Sequence, residues 1–182
     1  MKLPEGFFDD ADVAVYRKLY SQVPINGITA ELGCFLGRSI CSVADIIRER
    51  KLIVYCIDTF TGTLTPSENK YFEPYKNRDI EAEFRKNLTD FGLLPDHALI
   101  HRGTTESAVI HMRPDTADFI FIDADHSYEA VKRDIDLWLP KVKKGGIFAG
   151  DDHTFETVNR AVREKFGKDY RVDASIWIHE VK

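Results

Sequence analysis

The chain is poor in cysteine, methionine and tryptophan, with three, two and two of them in 182 residues. Cys34, Cys41 and Cys56 cannot all pair with one another and each sits in apolar sequence. That speaks against a disulfide-stapled secreted fold and for reduced, buried thiols in a cytoplasmic protein. No apolar run approaches the roughly 20 residues that span a bilayer, so no membrane segment is expected. Met1 to Gly6 lead into acidic residues instead of an apolar stretch, which is not the pattern of a signal peptide. A basic cluster is missing too: 25 Lys+Arg stand against 30 Asp+Glu, a net charge of -5, which argues against broad nucleic-acid binding. Internal repeats, low-complexity tracts and Ser/Gly-rich linkers are absent, and the length suits one domain over 1–182. The dinucleotide fingerprint G-x-G-x-x-G is also lacking, which removes the signature of a nicotinamide oxidoreductase.

What the chain does contain is alternation. Ile28 to Leu32, Leu52 to Ile57, Ala98 to His101, Ala117 to Ile122 and Gly146 to Ala149 are short apolar runs bounded by Gly, Asp, Pro or charge, the pattern of buried strands. Helical spacing separates them. Gly37 to Arg50 puts Ile40, Val43, Ala44 and Ile47 on one face, Asn77 to Phe91 aligns Ile80, Phe84 and Leu88, and Ser127 to Leu139 aligns Val131, Ile135 and Leu139. Asp9 or Asp10 caps a first helix carrying Val13, Tyr16, Leu19 and Tyr20, so residues 1–25 read as an N-terminal helical appendage. A last helix over Thr154 to Phe166 precedes Tyr170 to Val172 and Ile176 to Val181, two strands joined too closely for a crossover helix. The expected fold is α/β: a doubly wound, mostly parallel sheet of about seven strands with an antiparallel C-terminal strand and helices on both faces. Residues 59–76 lack a regular pattern, and a loop of that length in a compact domain is more often an active-site cover than an idle connection.

In such sheets ligands bind outside the carboxyl ends of the strands. After the first strand comes Glu31-Leu32-Gly33-Cys34-Phe35-Leu36-Gly37-Arg38-Ser39, where Gly33 and Gly37 allow a tight turn and close ligand approach and Ser39 begins the helix; an ordinary strand-to-helix turn reads the same way. Asp58 follows the second strand and suits a ribose diol, or a helix cap. Asp123-Ala124-Asp125-His126 and Asp151-Asp152-His153 follow the fourth and fifth. Four carboxylates at one edge repel, by roughly 4 kcal/mol for each pair at ~4 Å and an effective dielectric near 20, so a cation or bound protons must offset them. All-oxygen donors suit a hard ion such as Mg²⁺. Helix capping by Asp125 and Asp152 is the plainer alternative, and two histidines beside carboxylates admit a facial triad for iron. A metal-dependent hydrolase also remains open on these residues.

These residues resemble the class I S-adenosylmethionine-dependent methyltransferases, most closely the group of the macrocin and mycinamicin sugar O-methyltransferases, with catechol O-methyltransferase more distantly similar. The resemblance runs from about Gly27 to the C-terminus and is most specific in Asp123-Ala124-Asp125-His126-Ser127-Tyr128, Asp134, Trp138-Leu139, Lys144-Gly145-Gly146 and Gly150-Asp151-Asp152. It implies a Rossmann-like fold and an enzyme that methylates a small hydroxylated acceptor, a sugar or a phenol. Glu31, Gly33 and Gly37 would belong to the cofactor's glycine motif, Asp58 would bind its ribose, and Gly103-Thr104 would lie near the adenine. Asp123, Asp151 and Asp152 match the metal ligands, and Asp125 or His126 the general base. His153 is placed to orient the acceptor. The relatives are longer, so the acceptor and any homo-oligomer do not carry over. A cofactor-binding protein that has lost transfer activity shares most of these features.

Overall fold

The computed structural model describes residues 2–62 and 69–182. Seven strands form one sheet in the order β3-β2-β1-β4-β5-β7-β6. They are β1 (Ile28–Leu32), β2 (Ile53–Asp58), β3 (Ala98–Arg102), β4 (Ala117–Ile122), β5 (Val142–Gly150), β6 (Arg171–Asp173) and β7 (Ile176–Glu180). The pairs from β3 to β5 are parallel, and β7 runs antiparallel to both β5 and β6. The expected mostly parallel sheet with an antiparallel C-terminal strand is what the chain forms. Order reverses between β1 and β4, and that is where a crevice opens at the carboxyl ends.

The helices are α1 (Asp10–Tyr20), α2 (Arg38–Ser42), α3 (Ala44–Glu49), α4 (Asn69–Phe72), α5 (Ile80–Asp90), α6 (Thr105–Ala108), α7 (Tyr128–Trp138) and α8 (Glu156–Phe166). Strand side chains alternate between two cores, as a period of two requires. Phe119 and Phe121 face a core shared with α1, α2, α3 and α5, while Ile120 and Ile122 face one shared with α6, α7 and α8. Tyr16, Leu19 and Tyr20 of α1 are fully buried in the first core, so this helix is packed in and not merely appended. Asp9 caps it, its Oδ1 accepting the amides of Ala11 (2.7 Å) and Asp12 (2.9 Å).

Two expectations need adjusting. The helix read over Gly37 to Arg50 is two helices, broken at Val43 (φ -115°, ψ 12°). There the Val43 amide reaches Ile40 O and the Ser42 hydroxyl donates to Ser39 O at 2.5 Å, a local bond that competes with the helical ladder. Residues 59–76 are not wholly irregular: α4 leads into a 3₁₀ turn at Glu73–Tyr75, elements too short to leave a periodicity, while 63–68 lie outside the described residues. All three cysteines are free and buried. Among the described residues no helix is long and apolar enough to cross a membrane.

Candidate active site

The first loop is shaped from within. Gly33 sits at φ +88°, and a Cβ added there would lie 1.8 Å from the carbonyl oxygen of Asp123, so the chains leaving β1 and β4 approach as only glycine allows. Gly37, at φ +79°, ends the turn with its amide on Cys34 O at 2.7 Å. Asp58 closes over this loop from the end of β2. Its Oδ2 accepts the amides of Cys34 (2.7 Å) and Phe35 (2.8 Å), and its Oδ1 accepts that of Phe60 (2.6 Å). The carboxylate expected to meet a ribose therefore also holds the glycine turn in shape. The Gly103 amide bonds to Asp58 O at 2.9 Å, and Thr104 caps α6.

Glu31 lies beneath this turn, fully buried. Ser39 Oγ donates to its Oε1 at 2.6 Å, and the Tyr16 hydroxyl donates to its Oε2, which ties α1 to the glycine loop. Burial raises its pKa to about 8 against the pull of those two hydrogen bonds. Below pH 4.5 the carboxyl is protonated in both folded and unfolded chains. Between 4.5 and about 8 the unfolded chain releases the proton while the folded one keeps it, so stability is lost as pH rises, by up to roughly 4 kcal/mol. Glu31→Gln keeps a neutral hydrogen-bonding side chain and should flatten this part of the slope. Denaturant melts of both proteins from pH 5 to 8 check it; parallel slopes would refute the burial argument.

The other end of the crevice is acidic. His126 Nε2 lies 2.8 Å from Asp152 Oδ2 and 3.8 Å from Asp123 Oδ1. Burial of the ring disfavours its protonation, but the two carboxylates outweigh this and hold its pKa up at about 11. Asp123 is raised by burial and by the charge of Asp152 despite the help of His126. Donor atoms of Asp123, His126 and Asp152 all lie within 4.8 Å of one another, a grouping that can hold a metal ion. Asp151 turns elsewhere: the Ser175 hydroxyl donates to its Oδ1, and burial followed by the charge of Asp123 raises its pKa to about 8. Asp125 Oδ1 accepts the Ser127 amide at 2.8 Å, an Asx turn leading into α7; Ser127 is the N-cap residue and no side chain caps the helix, so the capping alternative for Asp125 is not what forms. His153 is not brought in. Its Nε2 contacts Tyr170 Oη and Asn159 Nδ2, each at 3.2 Å, which also separates it from His126 and leaves the two-histidine triad unassembled.

Sequence reading missed Asp12 and Ser175. Asp12, buried on α1, has Oδ1 2.6 Å from the same Ser175 hydroxyl that meets Asp151. An acid on the stripe of Tyr16, Leu19 and Tyr20 was the available signal. One cavity of about 810 Å³ joins both ends of the crevice, its walls including Gly33, Ser39, Asp58, Thr104, Asp123 and Asp152.

Residues 30–153 match the model of a family described as a methyltransferase domain. The chain belongs to that family. The methyltransferase also superposes on solved enzymes of the same fold. The O-methyltransferase NovP aligns with a TM-score of 0.73 at 21% identity, over 93% of this chain and 79% of that one. The TDP-rhamnose 3'-O-methyltransferase CalS11 aligns at 0.64 and 20%, over 93% and 78%. A methyltransferase from Geobacter sulfurreducens aligns at 0.67 and 15%, over 96% and 80%. Comparison with curated protein sequences finds no match. The methyltransferase is thus of the class I, S-adenosylmethionine-dependent kind that its motifs resemble.

Proposed function

We propose that the protein transfers a methyl group from S-adenosylmethionine to a hydroxyl oxygen of a small acceptor. The observation that carries the reading is the continuity of one cavity from the glycine turn to the acidic end, which seats donor and acceptor side by side. Alignment of this kind contributes roughly 7 to 11 kcal/mol. In transfer the methyl C–S bond breaks as the O–C bond forms; sulfur keeps the electron pair as a neutral thioether, and the hydroxyl proton leaves for a base.

In this reading Gly33, Ser39, Gly103 and Thr104 surround the cofactor, with Glu31 and Gly37 supporting the turn from outside the cavity. Asp58 offers the ribose what its three amide bonds leave, about one of the four acceptor positions of a carboxylate. Asp123 and Asp152, with Asp151 beside them, are oxygen donors that fit a hard divalent cation such as Mg²⁺, and the close approach of Asp123, His126 and Asp152 supports that fit. Such a cation would supply positive charge that eases deprotonation of the acceptor hydroxyl. Asp125 and His126, both on the cavity wall, are the candidates to take the acceptor's proton; the charges of Asp123 and Asp152 favour the protonated ring of His126, and a cation bound to those carboxylates would release it to act as a base. The partner is a small molecule in a cytoplasmic setting, without nucleic acid or membrane.

Calorimetry should detect S-adenosylmethionine, and turnover over a panel of hydroxylated acceptors should follow. Dialysis against EDTA is expected to cut turnover at least about 100-fold, with Mg²⁺ restoring it, while cofactor affinity changes little. Full turnover after chelation would remove the metal from the reading; absence of cofactor affinity would remove the transfer itself.

A further inference from the structure

Asp12 stands where an acid needs a reason. It is 6% exposed on the helix that buries Tyr16, Leu19 and Tyr20, and a carboxylate so placed must find donors. They come from the far end of the chain. Asp173 pairs with Ile176 across a two-residue turn, where Ala174 takes φ +53° and Ser175 comes against α1. Asp12 Oδ1 accepts the Ser175 hydroxyl at 2.6 Å and its amide at 3.2 Å. The Ser175 carbonyl accepts the His153 amide at 2.9 Å, so this residue is held from both sides.

The held hydroxyl also reaches Asp151 Oδ1, an oxygen that accepts the Asp152 amide at 2.7 Å as well. Both bonds fall on one oxygen, which leaves Oδ2 as the oxygen of Asp151 that a ligand in the cavity can take. The hydroxyl has one proton for two carboxylates, so Asp12, Ser175 and Asp151 are tied together yet short of positive charge. A cation at Oδ2 supplies that charge. Without the hydroxyl, the like charges of Asp123 and Asp152 would drive Asp151 toward water and away from a shared ion. Groups that orient a metal ligand in this way contribute to affinity without touching the metal.

We infer that Asp12 and Ser175 are positioning residues of the cation site: Ser175 fixes Asp151 Oδ1 so that Oδ2 is presented to the ion, and Asp12 holds Ser175 where it can do so. This rests on the hard-cation reading, and it is tested on the ion alone, without cofactor or turnover. The experiment is a titration of the full chain with Mn²⁺ as the probe, followed by electron paramagnetic resonance. Ser175→Ala and Asp12→Ala should each weaken Mn²⁺ binding about tenfold or more, the usual loss when a group that orients a metal ligand is removed. Because both act through one chain of bonds, the double variant should bind within about twofold of the weaker single one. Ser175→Thr keeps the hydroxyl and Asp12→Asn keeps the acceptor oxygen, so both should stay within about threefold of the wild type. Melting temperatures show which variants fold. Where an alanine variant does not, Asp12→Asn decides: a loss there of about tenfold would mean that Asp12 supplies charge and not position. Additive losses, unchanged Mn²⁺ binding with only a lowered melting temperature, or tighter binding by Ser175→Ala would overturn the inference. A wild type without Mn²⁺ affinity would remove the cation and the inference together; a wild type that binds, with every variant binding equally well, would remove the inference alone.

Discussion

Gly33→Ala should leave little folded protein. The added Cβ would meet the carbonyl oxygen of Asp123 at 1.8 Å and its carbon at 2.5 Å, both backbone atoms that no rotamer change can move. It would also sit at φ +88°, which disfavours any residue with a side chain. Separating the loops after β1 and β4 means opening the sheet at its switch point, at a cost above about 4 kcal/mol, a large part of the 5 to 15 kcal/mol that holds a typical domain together. Gly145→Ala is the control. Gly145 has φ +77° but nothing within 4 Å of the added Cβ, so it should lose only about 1 kcal/mol. Soluble yield and thermal melts of the two variants decide the matter; similar losses would show that backbone conformation, and not close approach, makes Gly33 obligatory.

Asp152→Asn should reduce kcat/KM about 10³-fold while leaving cofactor affinity within about threefold. Asparagine is the informative replacement because Asp152 has φ +58°, a conformation that Asn shares with Asp more readily than other residues do. Shape and backbone persist, and the charge facing His126 at 2.8 Å goes. Single-turnover rates and calorimetry separate the two effects. A variant that loses cofactor binding and thermal stability together would assign Asp152 to the fold, and one with ordinary turnover would dismiss it from the chemistry.

The strands were legible because their apolar runs are short and bounded, and the central ones, β1 and β4, are buried on both faces. Ala117 to Ile122 is β4 to the residue, and the close pair at the C-terminus announced β7 as the antiparallel strand. The placement of Asp123, Asp151 and Asp152 at one edge followed from parallel strands alone. Their orientations did not. Whether Asp151 turns toward Ser175 or toward Asp123 depends on a hydroxyl from the β6–β7 turn, and nothing in the spacing of Asp151-Asp152-His153 anticipates it. His126 and His153 looked equivalent in sequence, each trailing a carboxylate pair. Only the packing of Tyr170 and Asn159 around His153 draws it out of the cavity. Asp58 shows the opposite limit: the position was readable, but three backbone amides occupy most of it, and backbone bonds leave no mark on residue identity. The break at Val43 was hidden for a different reason: the apolar spacing of Ile40, Val43, Ala44 and Ile47 runs straight through it, and only the Ser42 hydroxyl bond to Ser39 O marks the place.

The Asp12–Ser175 bond joins residues 163 positions apart. Closing a contact of such long range costs chain entropy that local structure cannot repay, so it forms late, after the sheet that brings β7 beside β5. On a growing chain α1 must wait for nearly everything that follows it before Asp12 finds Ser175 and Ser175 steadies Asp151. Recovery of methyl transfer during refolding should therefore trail recovery of secondary structure, which makes activity a clock for the last step of folding.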